Sequence, residues 1–356
     1  MNMRMRKIGA LLAGAVAATL PSIAGAQAQV SGPLACGQTI TQSTTLTANL
    51  GPCPNNGIIV GADNITLNLN GFRIFGIAGT SGDGAGVLLQ NRTGVTVQNG
   101  EITDFDGGVV ILGGSNNTVT GIRARNNLGR VNETTGPNAL YGDGILIQGS
   151  RSNRIINNHT DNNGPFSGIG VIRGDADHPA IPAADAPFNL IQGNTVTNNV
   201  ACRRGSTCDN DGIRIEPNVT DTQIIANQVV GNGLDGISLF GGTTRNFVSR
   251  NNVSSNGYRG AVPGDGIRVF GSGNTIEFNT THRNRAAGIS VARRTGQFGS
   301  FPATNPNGRN NVLRGNQAFG NVVFDLWDSN RNPDCDNNTW TGNTANNVSP
   351  PCTLNP

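Results

Sequence analysis

The chain has 356 residues and a formal net charge of +3, with 51 Gly, 49 Asn and only 13% charged side chains. So few charges exclude a charge-extended disordered chain, and Gly does not recur at every third position, which excludes a collagen helix. The length permits one large domain or two ordinary ones, either able to bury a substantial core.

Residues 1–26 run from Arg4, Arg6 and Lys7 through an apolar stretch, residues 8–20, to Ala24, Gly25 and Ala26, the pattern of a secretory signal peptide. Its removal leaves 22 Arg facing 22 Asp plus Glu, so the processed chain is neutral and gives no support for a nucleic-acid partner. No later segment approaches 18 consecutive apolar residues, so no membrane span is expected. The expected product is a secreted or periplasmic monomer.

Residues 27–56 read as an N-terminal cap. The six cysteines form three close pairs along the chain, and in an oxidising compartment the preferred bonds are Cys36 to Cys53, Cys202 to Cys208, and Cys335 to Cys352. Other pairings stay open. None has the Cys-x-x-Cys spacing of a zinc ribbon or a redox site.

From residue 57 to 324 the sequence repeats itself. Asp143, Asp211, Asp235 and Asp265 each open an Asp-Gly-Ile phrase that continues in alternation, and weaker copies begin at Asp106, Ser167 and Ala287. A second phrase, Asn followed five residues later by Asn, comes between them, as at Asn158 to Asn163 and Asn251 to Asn256. Apolar and polar residues alternate over three or four positions with Gly or Asn at the ends, which is strand periodicity, and no helical period appears. Short strands in one repeated unit predict an all-β solenoid of about ten coils. Asn at the turns would tolerate a left-handed backbone and hydrogen-bond from coil to coil. Residues 325–356 read as the last coil and a C-terminal cap.

These phrases resemble the right-handed parallel β-helix proteins of the pectate-lyase-like superfamily, including its carbohydrate-binding and sugar-hydrolase repeat group. The resemblance spans roughly residues 57–347, and the segment from Asp325 through Trp327, Cys335, Trp340 and Cys352 is similar to the closing segment of bacterial exported members. It implies a right-handed parallel β-helix, and it leaves lyase, hydrolase, epimerase and non-enzyme functions open.

Insertions mark the candidate site. Residues 128–142, 200–210 and 257–264 precede Asp-Gly-Ile strands and residues 173–188 and 293–309 follow them, so that strand face should be a groove floor between loop walls. If its Ile points inward, then Arg214, Glu216, Ser238, Phe240, Arg268 and Phe270 point out. Phe offers a stacking surface for sugar rings and Arg a fork of donors for a carboxylate. The opposite expectation is that loops cover the Phe rings. Asp211, Asp235 and Asp265 should stack on successive coils, where their charges repel unless protonated, paired or bridged by a cation. Calcium would answer that, as would a turn role in which each carboxylate accepts backbone N–H groups. By resemblance to calcium-using lyases, Arg214 or Arg268 is the candidate base beside the three aspartates. Tyr141 echoes an epimerase element that here lacks its Pro-His, and His178, in the loop with Asp175 and Asp177, is a further substrate contact. His159 and His282 need not share a face.

The functional expectation is polysaccharide binding along the Asp-Gly-Ile face, with calcium as the implied cofactor and, if there is catalysis, lyase or uronate epimerase chemistry. The competing readings are a non-catalytic envelope or surface scaffold and a periplasmic accessory protein for metal-cofactor assembly.

Overall fold

The computed structural model describes residues 33–77, 84–129, 142–174, 184–201, 210–259, 263–291, 308–328 and 335–354. The leader, Cys202, Cys208 and most of the inserted loops lie outside them.

Every described strand pairs in parallel with the equivalent strand of the next coil. One sheet has twelve strands, from Gln38–Ile40 through Asp211–Ile215 to Val348–Ser349, two more than the ten or so coils read from the repeats. The first and last rungs come from the cap segments. The register never slips between the Asp-Gly-Ile strands: Ile145 pairs with Ile169, Ile169 with Ile213, Ile213 with Ile237, and Ile237 with Ile267. Because the side-chain period in a strand is two, this lock keeps one set of residues inside and the other outside along the whole rod. The remaining nineteen strands, paired in the same way, form the other walls.

The interior is made of stacked β-branched and Leu side chains. Ile145, Ile169, Ile213, Ile237, Ile267, Ile289 and Leu326 form one column, all fully buried. Each such side chain contributes about 1.5–3 kcal/mol on leaving water. Alternation with outward residues is what makes the phrase repeat readable.

Three ladders of buried Asn tie the coils together at the corners. In one, from Asn158 to Asn343, each Oδ1 after that of Asn158 accepts two bonds from the Asn of the preceding coil. Asn227 donates both its backbone N–H and its Nδ2 to Asn251 Oδ1, each at 2.9 Å, and its Nδ2 also reaches the Ile191 carbonyl at 3.0 Å. A second ladder runs from Asn127 to Asn321 and ends on Asp325. The third includes Asn117, Asn153 and Asn189, is interrupted at Thr222, and resumes at Asn246.

The ladder Asn are not the left-handed residues, which corrects the expectation that one Asn does both jobs. The positive φ falls on the residue just before: Asn157 before Asn158, Asn162 before Asn163, Ala226 before Asn227, Phe278 before Asn279. Bond-making and turning are divided between neighbours. The ladder position needs an amide, whereas the turn position only tolerates residues and accepts Gly, Asn, Ser, Ala, Arg or even Phe.

Disulfides close both ends as expected. Cys36 is bonded to Cys53 and Cys335 to Cys352, each joining residues 17 apart. Trp340, 2% exposed, plugs the last coils with its Nε1 donating to Asp328 Oδ2 at 3.3 Å.

Candidate functional site

The outer face of the twelve-stranded sheet is a grid, with coils as rows and outward positions as columns. Registers align Asp143, Leu146 and Gln148 with Ser167, Gly170 and Ile172, then with Asp211, Arg214 and Glu216. The next rows are Asp235, Ser238 and Phe240, then Asp265, Arg268 and Phe270. Ser167 and Ala287 fall in the Asp column, but Asp106 sits one residue before it, since Gly107 is the residue level with Ala85 at the start of the neighbouring strand.

Up to the Gly170 row, Ala85, Val110, Leu112 and Leu146 form a buried apolar cluster on this outer face, joined by Leu88 and Ile172. Rows after it are polar and aromatic. The sequence-predicted Arg214, Glu216, Phe240, Arg268, Phe270, Asp211, Asp235 and Asp265 therefore do come together. Tyr141 and His178 lie outside the described residues, as do residues 130–141, 175–183, 202–209, 260–262 and 292–307 of the expected loop walls.

The three aspartates form a ladder of their own. The Asp235 N–H donates to Asp211 Oδ1 at 3.0 Å, the Asp265 N–H to Asp235 Oδ1 at 2.7 Å, and the Ala287 N–H to Asp265 Oδ1 at 2.8 Å. One oxygen of each carboxylate thus does the work that Asn does at the other corners. The second oxygens face the outer grid: Ser290 Oγ and Arg268 Nε donate to Asp265 Oδ2 at 2.6 Å each, and Arg268 Nε lies 3.5 Å from Asp235 Oδ2. Arg214 donates from Nε to Glu216 Oε1 and holds Nη1 3.9 Å from Asp211 Oδ2.

Burial raises the Asp235 carboxyl to about 6, with Arg268 pulling it down and Asp265 pushing it up. Burial, then the Asp235 charge, lifts Asp211 well above the usual carboxylate range. For Arg214, burial opposes the charge, but Glu216 and Asp211 outweigh it and raise the guanidinium above its ordinary value. Arg268 is raised in the same way by Asp235 and Asp265.

Accessibility separates these groups. Arg214, Glu216 and Arg268 keep 15%, 14% and 12% of their side-chain surface open, against 0% for Asp211 and 2% or less for Asp235 and Asp265. The aspartates support and the arginines face outward. The outward Phe rings have protein partners: the Arg214 guanidinium lies 4.4 Å from the Phe240 centroid and 5.4 Å from Phe166, and Arg268 lies 5.7 Å from Phe270. Among the described residues no group of three or more His, Cys, Asp and Glu is arranged to hold a metal ion. His159 and His282 sit on other walls, the first bonded to Thr197 Oγ1 at 3.0 Å and the second stacked on Phe319 with centroids 5.2 Å apart. No helix of the described residues is long and apolar enough to cross a membrane.

The sequence matches the family described as the right handed beta helix region over residues 56–261 and again over 144–349. The chain is a right-handed β-helix protein. Among solved structures, this β-helix is similar to a mutant of the periplasmic alginate epimerase AlgG, at 14% identity and TM-score 0.61 over 86% of this chain and 76% of that one. It is also similar to an exopolygalacturonase from Thermotoga maritima, at 12% identity and TM-score 0.58 over 82% and 80% of the two chains. An alginate lyase from Paenibacillus sp. aligns at 16% identity and TM-score 0.52 over 89% and 97%. No curated protein matches the sequence. At these identities the likeness shows a shared fold.

Sequence reasoning about this β-helix missed the rows bearing Asp143, Gln148, Ser167 and Gly170. The signal was there: writing Asp143-Gly-Ile-Leu-Ile-Gln148 above Ser167-Gly-Ile-Gly-Val-Ile172 puts a side-chainless position in the outward column. Ser167 Oγ donates to Asp143 Oδ1, and burial pushes Asp143 up to about 7, with Ser167 and Arg214 working to lower it.

Proposed function

We propose that this is an exported protein that binds polysaccharide along the outer face of its twelve-stranded sheet, with Arg214, Glu216 and Arg268 as the hydrogen-bonding contacts. The observation that carries this reading is the single outward face on which planar, hydrogen-bonding side chains, partly open, lie against Phe240 and Phe270. A sugar presents the matching combination of hydroxyl edge and apolar ring face. The arginines are locked in place before any ligand arrives, which spares the ordering cost of two long side chains. Oxidised cysteines at both ends fit an extracellular or periplasmic location.

Binding is favoured over β-elimination. Carboxylate neighbours hold both guanidinium groups protonated, so neither is suited to removing a sugar proton, and the aspartates are buried behind them. This reading assigns calcium no role, since Arg268 lies within ion-pair distance of both Asp235 and Asp265.

The test is a panel of neutral and uronate polysaccharides, with affinity measured by calorimetry and unsaturated product followed by ultraviolet absorbance, with and without chelator. Expected is binding to at least one member that weakens about tenfold or more in Arg268→Ala, with no chelator effect and no unsaturated product. Retention of full affinity in Arg268→Ala, or binding to none, refutes it.

A further inference from the structure

We infer that the binding face continues past Arg268 to Trp327, two coils on, and that it takes an extended glycan ribbon whose sugars alternate in orientation, as in a β-1,4-linked chain. This rests on the polysaccharide-binding reading and names the linkage geometry of the chain bound there.

Strand registers put Arg214, Ser238, Arg268, Ser290, Trp327 and Ser349 in one outward column, one residue per coil. Long planar side chains and serines alternate along it. Ser238 and Ser290 are fully buried and turned toward the aspartate ladder: Ser290 Oγ donates to Asp265 Oδ2 at 2.6 Å and Ser238 Oγ to Asp235 Oδ2 at 3.4 Å. They present nothing to a ligand, so in this column only every second coil addresses one. At roughly 4.8 Å per coil, the planar groups are rooted about 10 Å apart.

Trp327 is the member of the column that the core does not explain. The chain has two tryptophans. Trp340 is 2% exposed and seals the last coils, whereas Trp327 follows the inward Leu326, points out and is partly exposed. Its ring neighbour is Phe324, with centroids 5.7 Å apart. No hydrogen bond among the described residues uses its indole N–H, in contrast to that of Trp340, which is bonded to Asp328. An outward indole on a polar solenoid suits a partner with an apolar ring face and a hydroxyl edge, and a pyranose has both.

The alternation selects the linkage. In an extended β-1,4-linked chain each sugar is turned over relative to the last, so the same face and the same hydroxyl edge return at every second sugar, a repeat about as long as two coils. Such a chain lying along the column offers Arg214, Arg268 and Trp327 equivalent positions on its first, third and fifth sugars. An α-1,4-linked chain bends or winds at each link and does not keep that match. The selection is by shape, because Arg214 and Arg268 lie beside carboxylates that offset their charge.

Hexasaccharide probes separate linkage from charge: cello-, chito- and mannohexaose against maltohexaose, and oligomannuronate against oligogalacturonate. By calorimetry the best β-1,4 probe should bind about tenfold or more tightly than its α-1,4 counterpart, and more tightly than its own trisaccharide. A preference for the α-1,4 member, or no gain from trisaccharide to hexasaccharide, overturns the proposal. Trp327→Leu should bind the hexasaccharide about fivefold or more weakly. Tryptophan emission supplies a readout that a merely structural role would not move. Saturating wild type with the hexasaccharide should change the emission, since Trp340 is sealed away, and in Trp327→Phe, which keeps a ring should Leu not be accommodated, the change should vanish while binding persists. Unaltered emission, or full affinity in Trp327→Leu, overturns the proposal. If Arg268→Ala weakens binding while Trp327→Leu does not, the face stands and its extension falls; if no probe binds, both fall.

Discussion

Asn251 is the most exposing place to perturb the coil-to-coil ladder. Its Nδ2 donates to Asn279 Oδ1 at 2.9 Å, to the Ile224 carbonyl at 2.9 Å and to the Ser249 carbonyl at 3.2 Å, while its Oδ1 accepts the Asn227 N–H and Nδ2. Asn251→Ala strands the Asn227 backbone N–H, one Asn227 amide hydrogen and the Ile224 carbonyl in a site closed to water. At about 1–3 kcal/mol for each buried group left unpaired, the loss is roughly 3–9 kcal/mol, a large share of ordinary domain stability. Asn251→Asp is the sharper variant, because it keeps the shape and the acceptor but removes both donors. Ionised, it faces the Asn279 oxygen and the Ile224 carbonyl; protonated, it recovers one donor. Its folded-state carboxyl is therefore pushed up, and its penalty grows as pH rises above about 3.9, the unfolded value. Urea denaturation followed by far-ultraviolet circular dichroism at pH 4 and pH 7 measures both variants, and hydrogen exchange locates the coils that open. An Asn251→Ala loss below about 1 kcal/mol, or an Asn251→Asp gap from wild type that does not narrow on acidification, would refute the ladder argument.

Ala226 holds φ at 54° in the turn column that Gly193 occupies one coil earlier, so Ala226→Gly should stabilise by about 0.5–1 kcal/mol in the same denaturation assay; a loss would mean that the left-handed turn is not adopted there. Asp143, near 7, and Asp235, near 6, both lie above their unfolded values, as Asp211 does. Each favours the folded state at low pH, and that contribution is lost as pH rises from about 4 through 7. A pH series of melting temperatures at constant ionic strength should therefore fall between pH 5 and 8, with the fall reduced in Asp143→Asn; a rise over that range contradicts the burial argument.

The fold was legible because the outside and inside of each coil differ in chemistry at a period of two. Asp211-Gly-Ile-Arg-Ile-Glu216 states which residues point where, and the structure places Arg214 and Glu216 outward accordingly. The Asn phrases announced the corners, but not that Ala226 turns while Asn227 bonds, because a single chain cannot show which of two adjacent residues has a neighbour above it. The site was legible only within a row. Contacts between rows join residues 22 to 44 apart, and that distance changes with every inserted loop. Hence Arg214 was readable as outward, but its seat between Phe166 and Phe240 was not.

The ladders close at 2.9 to 3.1 Å from Asn251 to Asn279, 28 residues on, and from Asn158 to Asn194, 36 residues on. Loop length and coil geometry are thus uncoupled, and a coil is a unit that can be counted, copied or excised. Duplicating the turn that runs from Asp235 to Gly264 should lengthen the floor by one row and leave every other row unaware of the change. A series of such proteins, each one coil longer than the last, would act as a ruler against which the length of a bound glycan could be read.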